Sequence, residues 1–254
     1  MSEESSIQVN FGHPMPLFPL DQATLLPQQL LPLHIFEPRY RQMIEHALDG
    51  AGQFALAVFE GDRWKQEYHG RPPLRRAVCI AQIVQHEKLP DGRYNVLVQG
   101  VCRARILREV PAEAGRQYRT ALLEPVGLSQ APPEVSWTDD TFDDDTDSDD
   151  ASPSLAEARG RIRDMLAEGP LTQLTHAAPV LEYLRNDELP TSAVLEVVSF
   201  TLITDPTLRY ALLAEGDADA RAAMIVRELE HLADLVRRAA LQHPEEWPKG
   251  CSWN

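Results

Sequence analysis

Eight histidines, three cysteines and three lysines are the side chains here best suited to nucleophilic, acid–base or metal chemistry. The histidines fall at 13, 34, 46, 69, 86, 176, 231 and 243, with no HxxxH pair to put two imidazoles on one helical face. Cys79 and Cys102 could face each other from nearby strands, but two thiols do not complete a four-ligand zinc site, and Cys251 stands far off. Small buried apolar cysteines are the better reading, and no metal or cofactor is expected. A Ser–Lys dyad needs a desolvated lysine. Lys88 abuts a turn, Lys249 sits in a polar tail, and Lys65 carries no mark of burial. His34 and Glu37 place a base near an acid, yet on a strand they point to opposite faces. The four tryptophans, at 64, 137, 247 and 252, are too dispersed to suggest a cation cage.

No GxxxxGK[ST] loop, no GxGxxG after a strand and no GxSxG elbow is present. The 254 residues carry 39 acidic against 24 basic side chains, a formal net charge of −15, which opposes nucleic-acid and anionic-membrane binding. No apolar run approaches the roughly 20 residues of a membrane span. The start, Met1-Ser-Glu-Glu-Ser-Ser, has neither the basic nor the apolar part of a secretory signal, and the cysteine usage suits a reducing cytoplasm. Eight aspartates crowd the stretch from Asp139 to Asp150, which self-repels and reads as a solvated linker over 129–153. Asp143, Asp145 and Asp147 imitate the start of a calcium loop, but Ser148 and Ser154 stand where Gly and Glu belong.

The elements that must position these groups change character at that linker. Before it, Pro16–Leu20, Leu30–Ile35, Phe54–Phe59, Val78–His86, Tyr94–Val98 and Tyr118–Val126 read as strands, and prolines favour edge or terminal positions. Pro90-Asp91-Gly92 is a turn, and Cys102, Ala104 and Ile106 alternate with Arg103 and Arg105 as a half-buried strand after Gly100. One helix starts at Pro38, buries Tyr40, Met43, Ile44 and Ala47, and ends at Gly50. After the linker, Ser154 and Glu157 form a capping box, Leu171–Arg185 predicts a helix that Pro179 threatens to kink, and Thr191–Ile203 another. Asp205-Pro206 opens a further helix, and the last lines Ile225, Leu229, Leu232 and Val236 on one face.

The runs Met15-Pro-Leu-Phe-Pro-Leu20, Leu25-Leu-Pro27 and Leu33-His-Ile-Phe-Glu-Pro-Arg-Tyr-Arg41 resemble the N-terminal substrate-binding domain of Lon-type ATP-dependent proteases. So do Asp91-Gly-Arg93, Val96–Val98 and Gly100-Val-Cys-Arg103. The resemblance covers about 14–127 well and 154–242 more weakly, through Leu208-Arg-Tyr-Ala-Leu-Leu213 and Arg221. Ala104 stands where the family often has an aromatic residue, and the acidic insert departs from the usual pattern. The resemblance implies an α+β fold: a PUA-like β pseudobarrel with one inserted helix, then an α-helical bundle. On that basis the organisation is a β-rich subdomain over 1–128, the acidic linker over 129–153, a helical subdomain over 154–243 and a polar tail over 244–254. In full-length Lon enzymes this region precedes ATPase and protease modules and helps select unfolded substrates; here the expectation is a stand-alone binder, since the chain stops at Asn254 with neither module.

The signature residues Glu37, Pro38, Arg39, Tyr40, Gly100 and Arg103 read as mainly structural. Glu37 can accept from first-turn amides of the helix. Arg39 and Arg103 can tie that junction to the barrel through bidentate contacts. The expected function is non-catalytic binding of unfolded polypeptide segments or a protein partner, through an apolar concavity between barrel and bundle or through an exposed strand edge. A hydrolase built from His34, Glu37 and His86 is one alternative. RNA binding by a strip of Arg103, Arg105, Arg108, Arg116 and Arg119 is another, against the overall charge.

Overall fold

The computed structural model describes residues 7–21, 23–66, 70–111, 113–127 and 154–241. The acidic linker, its calcium-like spacing and the polar tail therefore lie outside the described residues. Six strands, β1 (Met15–Leu20), β2 (Leu30–Ile35), β3 (Gln53–Val58), β4 (Ala77–Lys88), β5 (Tyr94–Val110) and β6 (Thr120–Pro125), form one mixed sheet in the order β2-β5-β4-β3-β1-β6. Only β1 and β3 run parallel; the other pairings are antiparallel. A further β5–β6 pairing closes five strands into a ring and leaves β2 as a flank. This is the α+β near-barrel with one helix, followed by a helical region, that the signature implied.

The inside of the ring is filled by small side chains. Ala55, Ala57, Ala104 and Ala121 join Met15, Leu17, Val78, Ile80 and Leu123 in one buried cluster drawn from all five ring strands. A ring this narrow needs alanine where strands converge, and Ala104, 1 % exposed, occupies such a place. The other face carries the bulk. Phe18 packs edge-on against Tyr40 at 4.6 Å and against Phe54 at 5.9 Å. Tyr40, Met43, Ile44 and Ala47 of α1 (Pro38–Leu48) are buried, as their spacing requires.

β5 is one strand of 17 residues, not two pieces parted at Gly100. Along one side it pairs β4 over Tyr94–Arg105; along the other it pairs β2 over Tyr94–Gln99 and β6 over Ala104–Val110. Gly100 sits where the partner changes. Gln28, with φ of 67°, turns the chain so that its amide donates to the Gly100 carbonyl at 2.7 Å, while Gly100 donates to the Gln29 carbonyl at 2.9 Å. A Cβ at Gly100 would stand 2.1 Å from the Leu26 carbonyl oxygen, so this approach demands glycine. Register shifts pass over Val84 and Leu107, which are left exposed as bulge residues.

The chain divides into two compact units: residues 1–148 with 204–217, and residues 149–203 with 218–254. The first includes α5 (Pro206–Ala214), whose Asp205 side chain accepts from the Leu208 amide at 2.7 Å. Tyr210 of α5 accepts from the Ala77 amide at 2.8 Å, and Arg75 lies over its ring at 3.3 Å. The second holds α2 (Leu155–Ala167), α3 (Ala177–Arg185), α4 (Thr191–Leu202) and α6 (Ala218–Leu241). Both halves of the Ser154–Glu157 capping box form on α2. Pro179 does not kink a long helix. A 3-10 turn over Pro170–Gln173 comes first and α3 starts at Ala177, which puts Pro179 in the first helical turn, where no intrahelical donor is lost. Arg159 of α2 donates to the carbonyls of Leu184, Asn186 and Leu189, closing the end of α3. Buried Glu196 and partly buried Arg221 form a pair at 3.6 Å that links α4 to α6. No described helix is long and apolar enough to cross a membrane.

Candidate functional site

Ring closure leaves β2 as the place where the sheet meets solvent. Among the described residues β2 pairs with β5 alone, so its other side is an open edge. Edge strands ordinarily carry charge to prevent unwanted pairing. Here the outward residues are Leu30, Pro32 and His34, and Phe36 follows at 60 % exposure with its ring stacked on His34. A proline within a ladder sits with its nitrogen toward the unpaired side, so the open edge lacks a donor at its centre. Beside β2 an open groove of about 450 Å³ runs over β5 and β4, lined by Pro32, Leu33 and Leu97 on its apolar side and by His86, Glu87 and Asn95 on its polar side. Val84, next to the Ile83–Val98 pairing, adds exposed apolar surface on β4.

The polar groups of this groove are tied to one another. His34 Nδ1 lies 2.8 Å from Asn95 Oδ1, and Asn95 Nδ2 donates to Glu87 at 3.2 Å. Arg93 reaches His34 Nε2 at 3.2 Å and is itself held by Asp91. His34 and His86 do share the groove, but among the described residues Glu37 does not line it, nor does any serine, threonine, cysteine or lysine. The proposed acid–base trio is thus not assembled. Among the described residues no three His, Cys, Asp or Glu side chains are placed to hold a metal. Cys79 is buried opposite Arg103, and Cys102 is opposite Ile80, so the two thiols point to opposite faces of the sheet. Burial pushes the Cys102 thiol up to about 11, which keeps it protonated and unreactive near neutral pH. Lys65 and Lys88 are surface groups paired with Asp62 and Glu45.

The signature residues gather at two joints. Pro38 opens α1 with Glu37 as its N-cap. The Glu37 carboxylate makes no capping bond; it accepts from Arg39 Nε at 3.0 Å and forms an ion pair with Nη2, because a guanidinium two residues away outcompetes the backbone amides. Arg39 also lies 4.6 Å over the Tyr40 ring. Arg103 does not reach that junction. It is buried and donates from Nε to the Leu212 carbonyl of α5 at 3.1 Å. Its burial takes it out of the expected basic strip, in which Arg105 pairs with Glu124, Arg116 with Glu113 and Arg119 with Glu109. The exposed apolar face of β2 was not separable in the sequence: Leu30-Leu-Pro-Leu is apolar on both faces and carries no inside–outside alternation.

Residues 14–231 match the family described as the ATP-dependent protease La (LON) substrate-binding domain. Lon protease 1 of Syntrophobacter fumaroxidans is 31 % identical over 109 residues, covering 43 % of this chain and 13 % of that protein. The Lon protease of Trichlorobacter lovleyi is 30 % identical over 117 residues, covering 45 % and 14 %. The matches thus span about one seventh of these relatives. The N-terminal domain of a Mycobacterium avium complex Lon protease superposes with a TM-score of 0.58 at 18 % identity, over 86 % of this chain and 98 % of that one. A Lon N-terminal domain protein from Xanthomonas campestris gives 0.54 at 17 % identity, over 85 % and 98 %. These two likenesses show the fold.

Proposed function

Because this chain belongs to the Lon substrate-binding domain family, we propose that it is a non-catalytic module that binds unfolded polypeptide segments, and that β2 and its groove are the contact surface. The observation that supports this most is the exposed Leu30 and Pro32 on a strand with an open edge, with exposed Phe36 directly after it. Apolar side chains of an unfolded segment would leave water against Leu30, Phe36 and Leu97, at about 25 cal/mol per Å² of area covered. With no donor at Pro32, the side chains rather than a continuous ladder carry the contact. The polar wall of His34, Asn95 and Glu87 would meet the segment's backbone amides and carbonyls.

The test is binding of a permanently unfolded, fluorescently labelled protein by anisotropy. The double variant Leu30→Ser/Phe36→Ser is expected to weaken it by about tenfold, equivalent to the loss of two apolar contacts, with the circular dichroism spectrum unchanged. Added salt should change the affinity little, because the contact is apolar. Unaltered affinity in the double variant would remove β2 as the surface; no affinity in the parent protein would remove the function.

A further inference from the structure

A second cavity, of about 380 Å³, shares no residue with the β2 groove. Four arginines line it, Arg39, Arg71, Arg116 and Arg119, and among the described residues no carboxylate does. In a chain of formal net charge −15, that convergence of positive charge is the reverse of the average surface. The arginines come from separate segments: the first turn of α1, the approach to β4 and the approach to β6. Each is steadied by a carboxylate outside the lining. Glu37 holds Arg39 and Glu113 holds Arg116, each at 3.0 Å, while Glu109 accepts from Arg119 Nε at 2.9 Å and stands 3.7 Å from Arg71.

Two guanidiniums lie over ring faces, Arg39 over Tyr40 at 4.6 Å and Arg116 over Tyr118 at 5.6 Å. A guanidinium stacked on a ring keeps its in-plane N–H fork for oxygen acceptors. Arg116 Nε is buried with no hydrogen-bond acceptor among the described residues. Arg119 is committed, because its Nη1 donates to the Pro72 carbonyl at 2.7 Å as well. Arg71 is half-exposed, and its contact to Glu109 is the long one among the described pairs, so it can turn inward. The remaining wall is apolar, through Leu17, Pro19, Phe59 and Pro72.

We propose that this cavity binds a small organic phosphate, a phosphate monoester with a ring or other apolar body. A monoester carries about −1.5 to −2 charges and three acceptor oxygens, which suits several converging forks better than a single carboxylate does. The volume lies in the usual range of about 300–1,000 Å³ for small-molecule sites and exceeds what bare phosphate fills, so the body rests on the apolar wall. The inference stands apart from the β2 reading and does not depend on it.

Isothermal titration of the whole chain with phenyl phosphate tests the assignment. Saturable binding is expected, weakened by about tenfold in Arg71→Ala and again in Arg116→Ala, and unchanged in Arg105→Ala, whose arginine lies outside this cavity. Arg71→Lys should fall between, since it keeps the charge and loses the fork. Inorganic phosphate should bind about tenfold more weakly for want of the ring. The proposal is overturned by no saturable heat up to about 10 mM phenyl phosphate, by full affinity in the Arg71→Ala variant, or by phenylacetate binding as tightly as phenyl phosphate.

Discussion

Strand β5 passes through two environments, and the contrast between them explains how one sheet serves both stability and binding. Beyond Gly100 it joins β4, paired as far as Arg105, to β6, paired from Ala104, in a closed ring whose interior is packed with alanine and larger apolar side chains. From Tyr94 to Gln99 it lies between β4 and β2, where the next edge is open and Leu30 and Phe36 face water. Closure removes edges and makes apolar residues into core; the flank keeps an edge and leaves apolar residues as surface. The same residue type therefore has opposite value in the two halves.

The sharpest way to break this contrast is to truncate one phenylalanine in each region. Phe54→Ala, in the ring wall and fully buried, should lower unfolding free energy by about 3–5 kcal/mol in urea titrations. Phe36→Ala should change it by no more than about 0.5 kcal/mol. Equal costs at the two sites would show that β2 is covered in solution. Next in size is Gly100→Ala, at the joint between the regions. Its methyl meets the Leu26 carbonyl, so a loss of about 3 kcal/mol is expected, together with faster exchange of the Gln28 amide. A neutral result would mean that the Leu25–Gln29 turn can lift away.

A smaller effect tests the cover that α5 lends to the ring. Tyr210→Phe leaves the Ala77 amide without its acceptor and should cost about 1–2 kcal/mol by the same titration. The smallest effect belongs to the flank. Hydrogen bonds from Lys88 at 2.9 Å and Tyr94 at 3.0 Å hold the Glu45 carboxyl below its ordinary value, and so join α1 to the β4–β5 hairpin. A depressed carboxyl adds stability above its unfolded pKa and loses it as pH falls through the folded one. Urea midpoints of the parent should therefore drop slightly more than those of Glu45→Gln on acidification. Because Glu45 is about half-exposed, solvent screening keeps the difference under about 1 kcal/mol.

The features legible in the sequence were those fixed by neighbours in the chain. The Ser154–Glu157 box, the Asp205-Pro206 start and the Pro90-Asp91-Gly92 turn each rest on residues within four positions, and each formed. Where a distant segment decides, local rules gave the wrong emphasis. Gly100 looked like a strand break, yet its glycine serves the Leu25–Gln29 turn and the strand runs on. Glu37 looked like a helix cap, yet Arg39 takes its carboxylate. Arg103 looked exposed by alternation, yet α5 supplies a carbonyl more than a hundred residues later. The arginine-lined cavity left no local trace, since positions 39, 71, 116 and 119 carry no common period and meet only through the fold.

The return of α5 to the sheet unit sets an order of events during synthesis. Helices α2, α3 and α4 leave the ribosome before α5 does, so the strands wait for a lid encoded after most of another unit. Until translation passes Asp217, the Ala77 amide and the Arg103 guanidinium have yet to meet Tyr210 and Leu212. A nonsense codon anywhere in α2, α3 or α4 would thus damage a barrel whose own strands had all been made.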